Sequence, residues 1–309
     1  MAEQKQEILL ESGTNEIEIM EFKIGNDYFG INVAKVKEIM LAVPVKPMPK
    51  SHPSVEGIFK PRDAVLTLVD LPGYLNMEKT EETRDLFIIT GFNKREIAFR
   101  VHSVLGISRI SWMDIQKPDE VIYGGVDSGI VTGIARCGER LVTVLDFEKI
   151  IAEIAPETSI QMSEIDQLGE RDMEEDRTIL IAEDSMLLSK LIHEALHKAG
   201  YVNTIKCDNG KEAWDFLSQL KGVNDPRQEV SLIITDIEMP QMDGHHLTKL
   251  IKEDNNLKKI PVVIFSSLID KDMYAKGVSL GADAQLSKPE IGNLVSTIDR
   301  LIEEYEHKF

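Results

Sequence analysis

The sequence has few of the features that mark secreted, zinc-binding or nucleic-acid-binding proteins. Only two cysteines occur, Cys137 and Cys207, so neither a disulfide framework nor a multi-cysteine zinc site can be built from them. Basic residues number 35 against 53 acidic ones, which gives a formal net charge of −18. A field of that sign repels phosphate backbones and argues against nucleic-acid binding.

Long hydrophobic runs are also lacking. No apolar stretch approaches the ~20 residues that a transmembrane helix needs, and the N-terminus lacks the basic and then apolar order of a signal peptide. We therefore expect a cytoplasmic protein with no direct membrane insertion. Hydrophobic residues make up 42% of 309 positions, which is enough to bury the cores of two domains of ordinary size.

An acidic segment separates two differently patterned halves. Its acidic residues are Glu153, Glu157, Glu164, Asp166, Glu170, Asp172, Glu174, Glu175 and Asp176. Like charges at this density repel one another and favour an extended chain. We therefore predict one domain at residues 15–152, an acidic linker at 153–177 and a second domain at 178–307.

Alternating apolar and polar residues predict β-hairpins in the first half. The predicted strand pairs are residues 20–24 with 28–33, 86–92 with 97–101, and 130–136 with 140–145. There is also a weak internal repeat: residues 31–39 share their apolar spacing with 99–107, and 65–70 resemble 141–146. The repeat predicts two similar β units that share a core. The alternative is that the similarity is chance, because apolar alternation recurs in any β protein.

Near-continuous apolar runs characterise the second half. Residues 178–182, 231–235 and 261–265 are such runs, as expected for parallel strands that are covered on both faces. Helical stretches lie between them, and one carries an apolar stripe that ends at Gly200. Alternating strands and helices predict an α/β doubly wound domain.

Polar side chains follow these predicted strands, at the edge where such sheets bind ligands. Glu183 and Asp184 follow the first strand, Asp236 the third, Ser266 the fourth and Lys288 the fifth. Three converging carboxylates require a cation, and oxygen ligands suit Mg²⁺. Asp236 is the candidate nucleophile that becomes an acyl phosphate, with Lys288 and Ser266 contacting the phosphoryl oxygens. The alternative is that these acids merely cap helices.

Residues 178–307 resemble the response regulator receiver domains. The matching segments are Ile179-Leu180-Ile181-Ala182-Glu183-Asp184-Ser185, Asp236-Ile237-Glu238-Met239-Pro240-Gln241-Met242-Asp243-Gly244 and Ser287-Lys288-Pro289. The resemblance implies a flavodoxin-like fold with strand order 2-1-3-4-5, the order described for this family. It also implies that the main-chain carbonyl of Glu238 joins Glu183, Asp184 and Asp236 around Mg²⁺. The aromatic residue usual three positions before the lysine is replaced by Gln285.

Residues 15–152 resemble the CheW-type coupling domains of bacterial chemotaxis. The matching features are Phe29-Gly30-Ile31, Val33, Val36, Glu38, Ile39, Glu56-Gly57-Ile58, Arg62 and Leu68-Val69-Asp70-Leu71. The resemblance implies an all-β fold of two small barrels side by side. Its implied partners are a histidine kinase and the cytoplasmic domains of chemoreceptors, with Val33, Val36, Glu38 and Arg62 as contact residues.

The combined resemblances imply a chemotaxis adaptor that joins receptors to the kinase, is modulated by phosphorylation of Asp236, and is associated with membrane receptor arrays through its protein partners. The alternative is a phosphoryl-accepting buffer, or phosphate sink, for the kinase. In either case phosphoryl acceptance is self-catalysed, and we expect no enzyme with turnover.

Two histidine motifs need separate interpretation. His193-Glu194-Ala195-Leu196-His197 matches the H-E-x-x-H signature of zinc proteases, but its histidines lie opposite the apolar stripe. We expect them to face water, which disfavours zinc catalysis. His245 and His246 are expected at a solvated helix start.

Overall fold

The computed structural model describes residues 15–62, 64–77, 85–92, 95–116, 129–155, 175–269, 271–288 and 290–308. The chain divides into two compact units, one built on residues 16–159 and the other mainly on 160–309. In the described ranges no helix is long and apolar enough to span a membrane.

The N-terminal unit contains ten strands and two short helices within its described residues. The strands are β1 (Glu16–Ile24), β2 (Asp27–Asn32), β3 (Val36–Leu41), β4 (Val55–Phe59), β5 (Leu66–Val69), β6 (Leu86–Phe92), β7 (Arg95–Val101), β8 (Ser103–Ser111), β9 (Val131–Cys137) and β10 (Arg140–Leu145). The helices are α1 (Leu71–Tyr74) and α2 (Phe147–Ile154). The three predicted hairpins are confirmed as β1–β2, β6–β7 and β9–β10.

The strands form two five-stranded sheets with the same topology. Their orders are β8-β1-β2-β10-β9 and β3-β6-β7-β5-β4. Each strand of one sheet has its counterpart five strands away in the other sheet, so that β1 corresponds to β6 and β2 to β7. This correspondence confirms the predicted pair of β units. The third strand of each repeat pairs with the first strand of the other repeat, β8 with β1 and β3 with β6.

Each sheet is closed into a small barrel at an equivalent place. Lys46, after β3, bridges to Ile58 on β4, and Gln116, after β8, bridges to Ile134 on β9. The residue before each bridged isoleucine is a glycine. A Cβ at Gly57 would lie 2.2 Å from the Lys46 carbonyl oxygen, so only a residue without a side chain allows that strand to approach.

The two barrels share one core and also have separate ones. The shared core combines Met20, Phe22, Ile24, Phe29, Ile31, Val69, Leu71, Ile88, Phe99, Val101, Leu145, Phe147, Ile150 and Ile151. Strand alternation explains the division: on β1, Ile17 and Ile19 point into their own barrel, while Met20, Phe22 and Ile24 point into the shared core. Both helices begin after an aspartate cap, Asp70 for α1 and Asp146 for α2.

The C-terminal unit alternates strands and helices. The strands are β11 (Glu175–Ala182), β12 (Tyr201–Cys207), β13 (Leu232–Thr235), β14 (Val262–Ser266) and β15 (Ala284–Ser287), and the helices are α3 (Met186–Lys198), α4 (Gly210–Ser218), α5 (Gly244–Glu253), α6 (Lys271–Ser279) and α7 (Ile291–Lys308). All neighbouring strands are parallel, in the order β12-β11-β13-β14-β15. Cores lie on both faces of the sheet, as expected for the doubly wound fold.

The predicted linker at 153–177 lies mostly outside the described residues. At its edges the structure differs from the expected boundaries, because α2 continues to Ile154 and β11 already begins at Glu175. Glu175 pairs with Tyr201 of β12, so cross-strand pairing extends this strand into the acidic segment in spite of its charge.

Candidate phosphoacceptor site

The predicted carboxylates converge at the carboxyl edge of the parallel sheet. Glu183 and Asp184 follow β11, and Asp236 follows β13, its neighbour in the sheet. One carboxylate oxygen from each of the three lies within 4.8 Å of the others. Glu183 and Asp236 are almost fully buried, at 3% and 4% exposure. The order of strands alone brings these residues together, since parallel strands end at the same edge.

Lys288 supplies positive charge at the centre of the cluster. Its Nζ lies 2.9 Å from Asp236 Oδ2 and 3.4 Å from Glu183 Oε2. The other oxygen of Asp236, Oδ1, accepts a hydrogen bond from the Ile237 backbone N–H at 2.6 Å. Sequence reasoning did not identify that backbone donor. Both oxygens of the Asp236 carboxylate are thus held, one by the backbone of its own loop and the other by Lys288, which follows β15.

The electrostatics of the cluster fit a divalent cation. Burial raises the pKa of Glu183 well above its usual value, Lys288 opposes that rise, and the charges of Asp236 and Asp184 add to it. Glu183 Oε1 accepts a hydrogen bond from the Ser185 N–H, but Oε2 is buried without a hydrogen-bond partner among the described residues. A buried carboxylate oxygen that accepts no hydrogen bond, and three acids against one lysine, together leave negative charge that a metal ion would balance.

Two further predicted site residues lie on adjoining strand ends. Ser266 ends β14 and is fully buried; its backbone carbonyl accepts a hydrogen bond from the Lys288 N–H, and its Oγ accepts one from Leu268 N–H. Glu238 is half-buried two residues after Asp236. Its side chain is outside the carboxylate cluster, and the role of its main-chain carbonyl stays a prediction. Pro289 lies outside the described residues.

A close backbone approach fixes the loop that carries Asp236. A Cβ at Gly244 would lie 1.8 Å from the Asp236 carbonyl oxygen, so α5 can begin against the end of β13 only with glycine there. Asp243 caps α5 by accepting a hydrogen bond from His246 N–H at 2.8 Å. The glycine in this loop is therefore explained by packing.

Two of the predicted coupling residues lie close together on the second barrel, the one built on the β3-β6-β7-β5-β4 sheet. Glu38, on β3, pairs with Arg62 at 3.0 Å, and both side chains are substantially exposed. Val33 and Val36 are half-buried and pack against the shared core, so they offer less surface than the ion pair does.

Two family models match the chain in succession. The CheW-like domain model matches residues 18–155, and the response regulator receiver domain model matches residues 179–299. The chain is a CheW-like domain joined to a response regulator receiver domain.

Similar proteins align with most of the chain or with its receiver domain. Chemotaxis protein CheV3 of Helicobacter pylori is 29% identical over 306 residues, covering 94% of this chain and 96% of that protein. Chemotaxis protein CheV2 of the same organism is 28% identical over 298 residues, covering 90% and 92%. The two-component response regulator ARR17 of Arabidopsis thaliana is 36% identical over 125 residues, which are 38% of this chain and 78% of ARR17. The receiver domain therefore belongs to the response regulator family.

Exposed apolar side chains in both domains were missed by sequence reasoning. In the receiver domain, Met186 and Leu187 begin α3 after the cap residue Ser185, which follows the acidic pair, and are 72% and 66% exposed. In the CheW-like domain, Ile39 and Leu41 are exposed on β3. The strand alternation around Glu38 could have revealed the latter pair, because it places them on the opposite face from the core.

Gln285 of the receiver domain packs against α6. Its Nε2 donates to the Tyr274 carbonyl at 2.8 Å, and its Oε1 is buried without a hydrogen-bond partner in the part of the chain that is described. A Cβ on Gly277 would lie 2.2 Å from that oxygen. The Gln285 side chain therefore fits against α6 only because residue 277 has no side chain.

The structure corrects two expectations about the histidines of the receiver domain, those for His245 and His193. His245 is buried, not solvated, at 2% exposure, and burial lowers its pKa to about 3. It lies on the inward face of α5, which local sequence did not distinguish from the outward face. His197 is exposed as expected, whereas His193 is half-buried and its Nδ1 lies 2.9 Å from Thr204 Oγ1.

Proposed function

We propose that the chain is a chemotaxis adaptor that couples chemoreceptors to their histidine kinase, and that phosphorylation of Asp236 modulates the coupling. The main support for this proposal is that one chain joins a CheW-like domain to a receiver domain, and that the receiver domain contains a buried carboxylate–lysine cluster. Proteins named chemotaxis proteins CheV3 and CheV2 align with it from end to end. The adaptor acts in the cytoplasm, at receptor arrays that it reaches through its protein partners.

The site can accept a phosphoryl group without turnover. An oxygen of Asp236 attacks the phosphorus of the donor, the bond from phosphorus to the donor breaks, and an acyl phosphate remains on Asp236. Lys288 Nζ, 2.9 Å from the carboxylate, is placed to neutralise a phosphoryl oxygen, and the Ser266 hydroxyl is the second candidate contact. Bound Mg²⁺, held by Glu183 and its acidic neighbours, would supply further charge neutralisation.

The surface beside the site suits a protein phosphodonor. Met186 and Leu187 present exposed apolar area one residue beyond the acidic pair, and contiguous exposed apolar residues commonly mark protein contacts. The chain carries a net charge of −18, and apolar contact adds an attraction that does not depend on the charge of the partner.

Phosphoryl labelling tests the acceptor. Full-length protein with Mg²⁺ and a small-molecule phosphodonor should gain one phosphoryl group by intact-mass analysis, and Asp236→Asn should abolish the gain. Asp208, the exposed aspartate after β12, offers a matched control, and Asp208→Asn should label normally. Retained labelling of Asp236→Asn would refute the assignment.

Kinase and receptor pull-down by the full chain tests the coupling surface. Arg62→Ala should weaken capture, because an exposed guanidinium offers planar, bidentate contacts. Arg109→Ala is the matched control, since Arg109 also forms an exposed pair, with Glu16. Phosphorylation should change partner affinity by roughly tenfold, the usual size of such coupling. If the chain removes phosphoryl groups from the kinase but phosphorylation leaves the capture of kinase and receptor unchanged, the phosphate-sink alternative is favoured.

A further inference from the structure

We propose that His193 and His197 form a binding site for a divalent transition-metal ion on the side of α3 that borders the edge strand β12. The two residues are one helical turn apart and therefore project from the same side. Their ring centroids lie 6.3 Å apart, with the planes tilted by 55°. Metal–nitrogen distances are about 2.0–2.1 Å, so rotation of the exposed His197 ring lets both imidazoles contact one ion.

The inner histidine is oriented from the neighbouring strand. His193 Nδ1 lies 2.9 Å from the Thr204 Oγ1 of β12, which leaves Nε2 as the ring nitrogen available to a ligand. Metal-bound histidines usually donate their second ring N–H to an oxygen in this way, which fixes the ring orientation and tautomer. Helix α3 is itself held by its buried stripe, including Ile192 and Leu196, so the histidines project from a rigid support.

The charges around the pair allow metal binding near neutral pH. Partial burial lowers the pKa of His193, and the nearby charges of Lys206 and His197 lower it further, while Glu194 raises it. The neutral imidazole is the form that binds metal. Lys206 would also repel a bound cation, and Glu194, whose carboxylate lies 3.8 Å from Lys190 Nζ, offsets part of that repulsion.

Ligand chemistry separates this pair from the acidic cluster. Imidazole nitrogens favour Zn²⁺, Ni²⁺ and Cu²⁺, whereas carboxylate oxygens suit Mg²⁺. Among the described residues, the cluster of three or more metal-ligating side chains is Glu183, Asp184 and Asp236, so the histidine pair supplies two ligands and water completes the coordination. The site is therefore a binding site and not a zinc-protease centre.

The test is an Ni²⁺ titration of the untagged full chain in excess Mg²⁺, followed by calorimetry and by NMR of the imidazole signals. The His193 and His197 signals should broaden at the lowest Ni²⁺ concentrations. His197→Ala should weaken Ni²⁺ binding at least tenfold. His52→Ala removes a lone exposed histidine and should leave the affinity within twofold of the parent protein.

A positioning variant adds an independent readout. Thr204→Val keeps the shape of the side chain but removes the hydroxyl, and it should weaken Ni²⁺ binding roughly tenfold while shifting the His193 ring-nitrogen signals before metal is added. Equal Ni²⁺ affinity in the parent protein and His197→Ala would overturn the proposal. So would Ni²⁺ binding that disappears in Asp236→Asn but persists in His197→Ala, because the ion would then occupy the acidic cluster.

Discussion

Both domains bury a glutamate almost completely, and the surroundings of the two glutamates differ. In the CheW-like domain, Glu21 is 2% exposed and its Oε2 lies 2.9 Å from Arg140 Nη2, while Ser108 Oγ donates to its Oε1. In the receiver domain, Glu183 has one oxygen without a hydrogen-bond partner among the described residues and shares Lys288 with Asp236.

The difference separates a structural charge from one that serves a site. A buried carboxylate with a full set of partners is compensated within the fold. The charge at Glu21 is nevertheless not required by the barrel, because the equivalent position of the second barrel is Ile89, which is 3% exposed. Glu183 is only partly compensated, because it shares one lysine with Asp236. An added cation would supply the missing positive charge, and such sites are typically functional.

Breaking the compensated pair should have the largest effect. Arg140→Ala leaves Glu21 buried without its cation, and we expect the free energy of unfolding of the CheW-like domain to fall by about 3–5 kcal/mol. Urea denaturation followed by tryptophan fluorescence would measure it. Arg109→Ala, which breaks an exposed pair with Glu16, should cost under about 1 kcal/mol. The double variant Glu21→Ile/Arg140→Ala imitates the second barrel and should recover most of the loss; no recovery would contradict this account.

The buried histidine of the receiver domain predicts a pH dependence. The folded-state pKa of His245 is about 3 and the unfolded value is about 6.5, so between these values the unfolded chain binds the extra proton. Stability is therefore retained above pH 6.5 and lost as the pH falls below it, by about 2 kcal/mol at pH 5. Lys276 is the charge that faces this histidine and adds to the effect.

Comparing urea midpoints at pH 7.5 and 5 in the parent protein and in His245→Gln isolates this contribution. The parent protein should lose about 2 kcal/mol more than the variant over this interval, because glutamine does not titrate. Identical pH profiles would show that His245 titrates normally in the folded state.

The fit between Gln285 and α6 should be sensitive to a single methyl group. Gly277→Ala places a Cβ against the Gln285 amide and should cost the receiver domain about 1–2 kcal/mol of stability. Gly292 is a matched control in α7 with open space around it, and Gly292→Ala should be neutral or stabilising by up to about 1 kcal/mol. Adding Gln285→Ala to Gly277→Ala should reduce the loss, and a purely additive double variant would count against direct contact.

Neutralising Glu183, the partly compensated glutamate, should have the smallest effect, with the opposite sign. Glu183→Gln removes a buried negative charge, and in EDTA we expect a gain of about 1 kcal/mol in stability. The rise in melting temperature on adding Mg²⁺ should shrink at the same time, since one ligand loses its charge. A destabilised variant that keeps the full Mg²⁺ response would contradict the role assigned to this carboxylate.

Local pattern and strand order were sufficient to predict the candidate site. Glu183, Asp184, Asp236, Ser266 and Lys288 each follow an apolar strand, and in a parallel sheet those ends share one edge. The repeat was also readable, because alternation and the aspartate caps recur in both halves of the CheW-like domain. These features depend on residues close in sequence, where side-chain period and capping chemistry report the local backbone directly.

Long-range packing decided what the sequence did not show. The third strand of each repeat, β3 or β8, joins the barrel of the other repeat by pairing with β6 or β1. These pairings link residues far apart in the CheW-like domain, and apolar spacing does not specify them. The burial of His245 and the contact of Gln285 with Gly277 depend on which helix lies over which strand. A side chain's burial and partners are properties of the assembled layers, since the same local pattern can face either core or solvent until distant elements cover it.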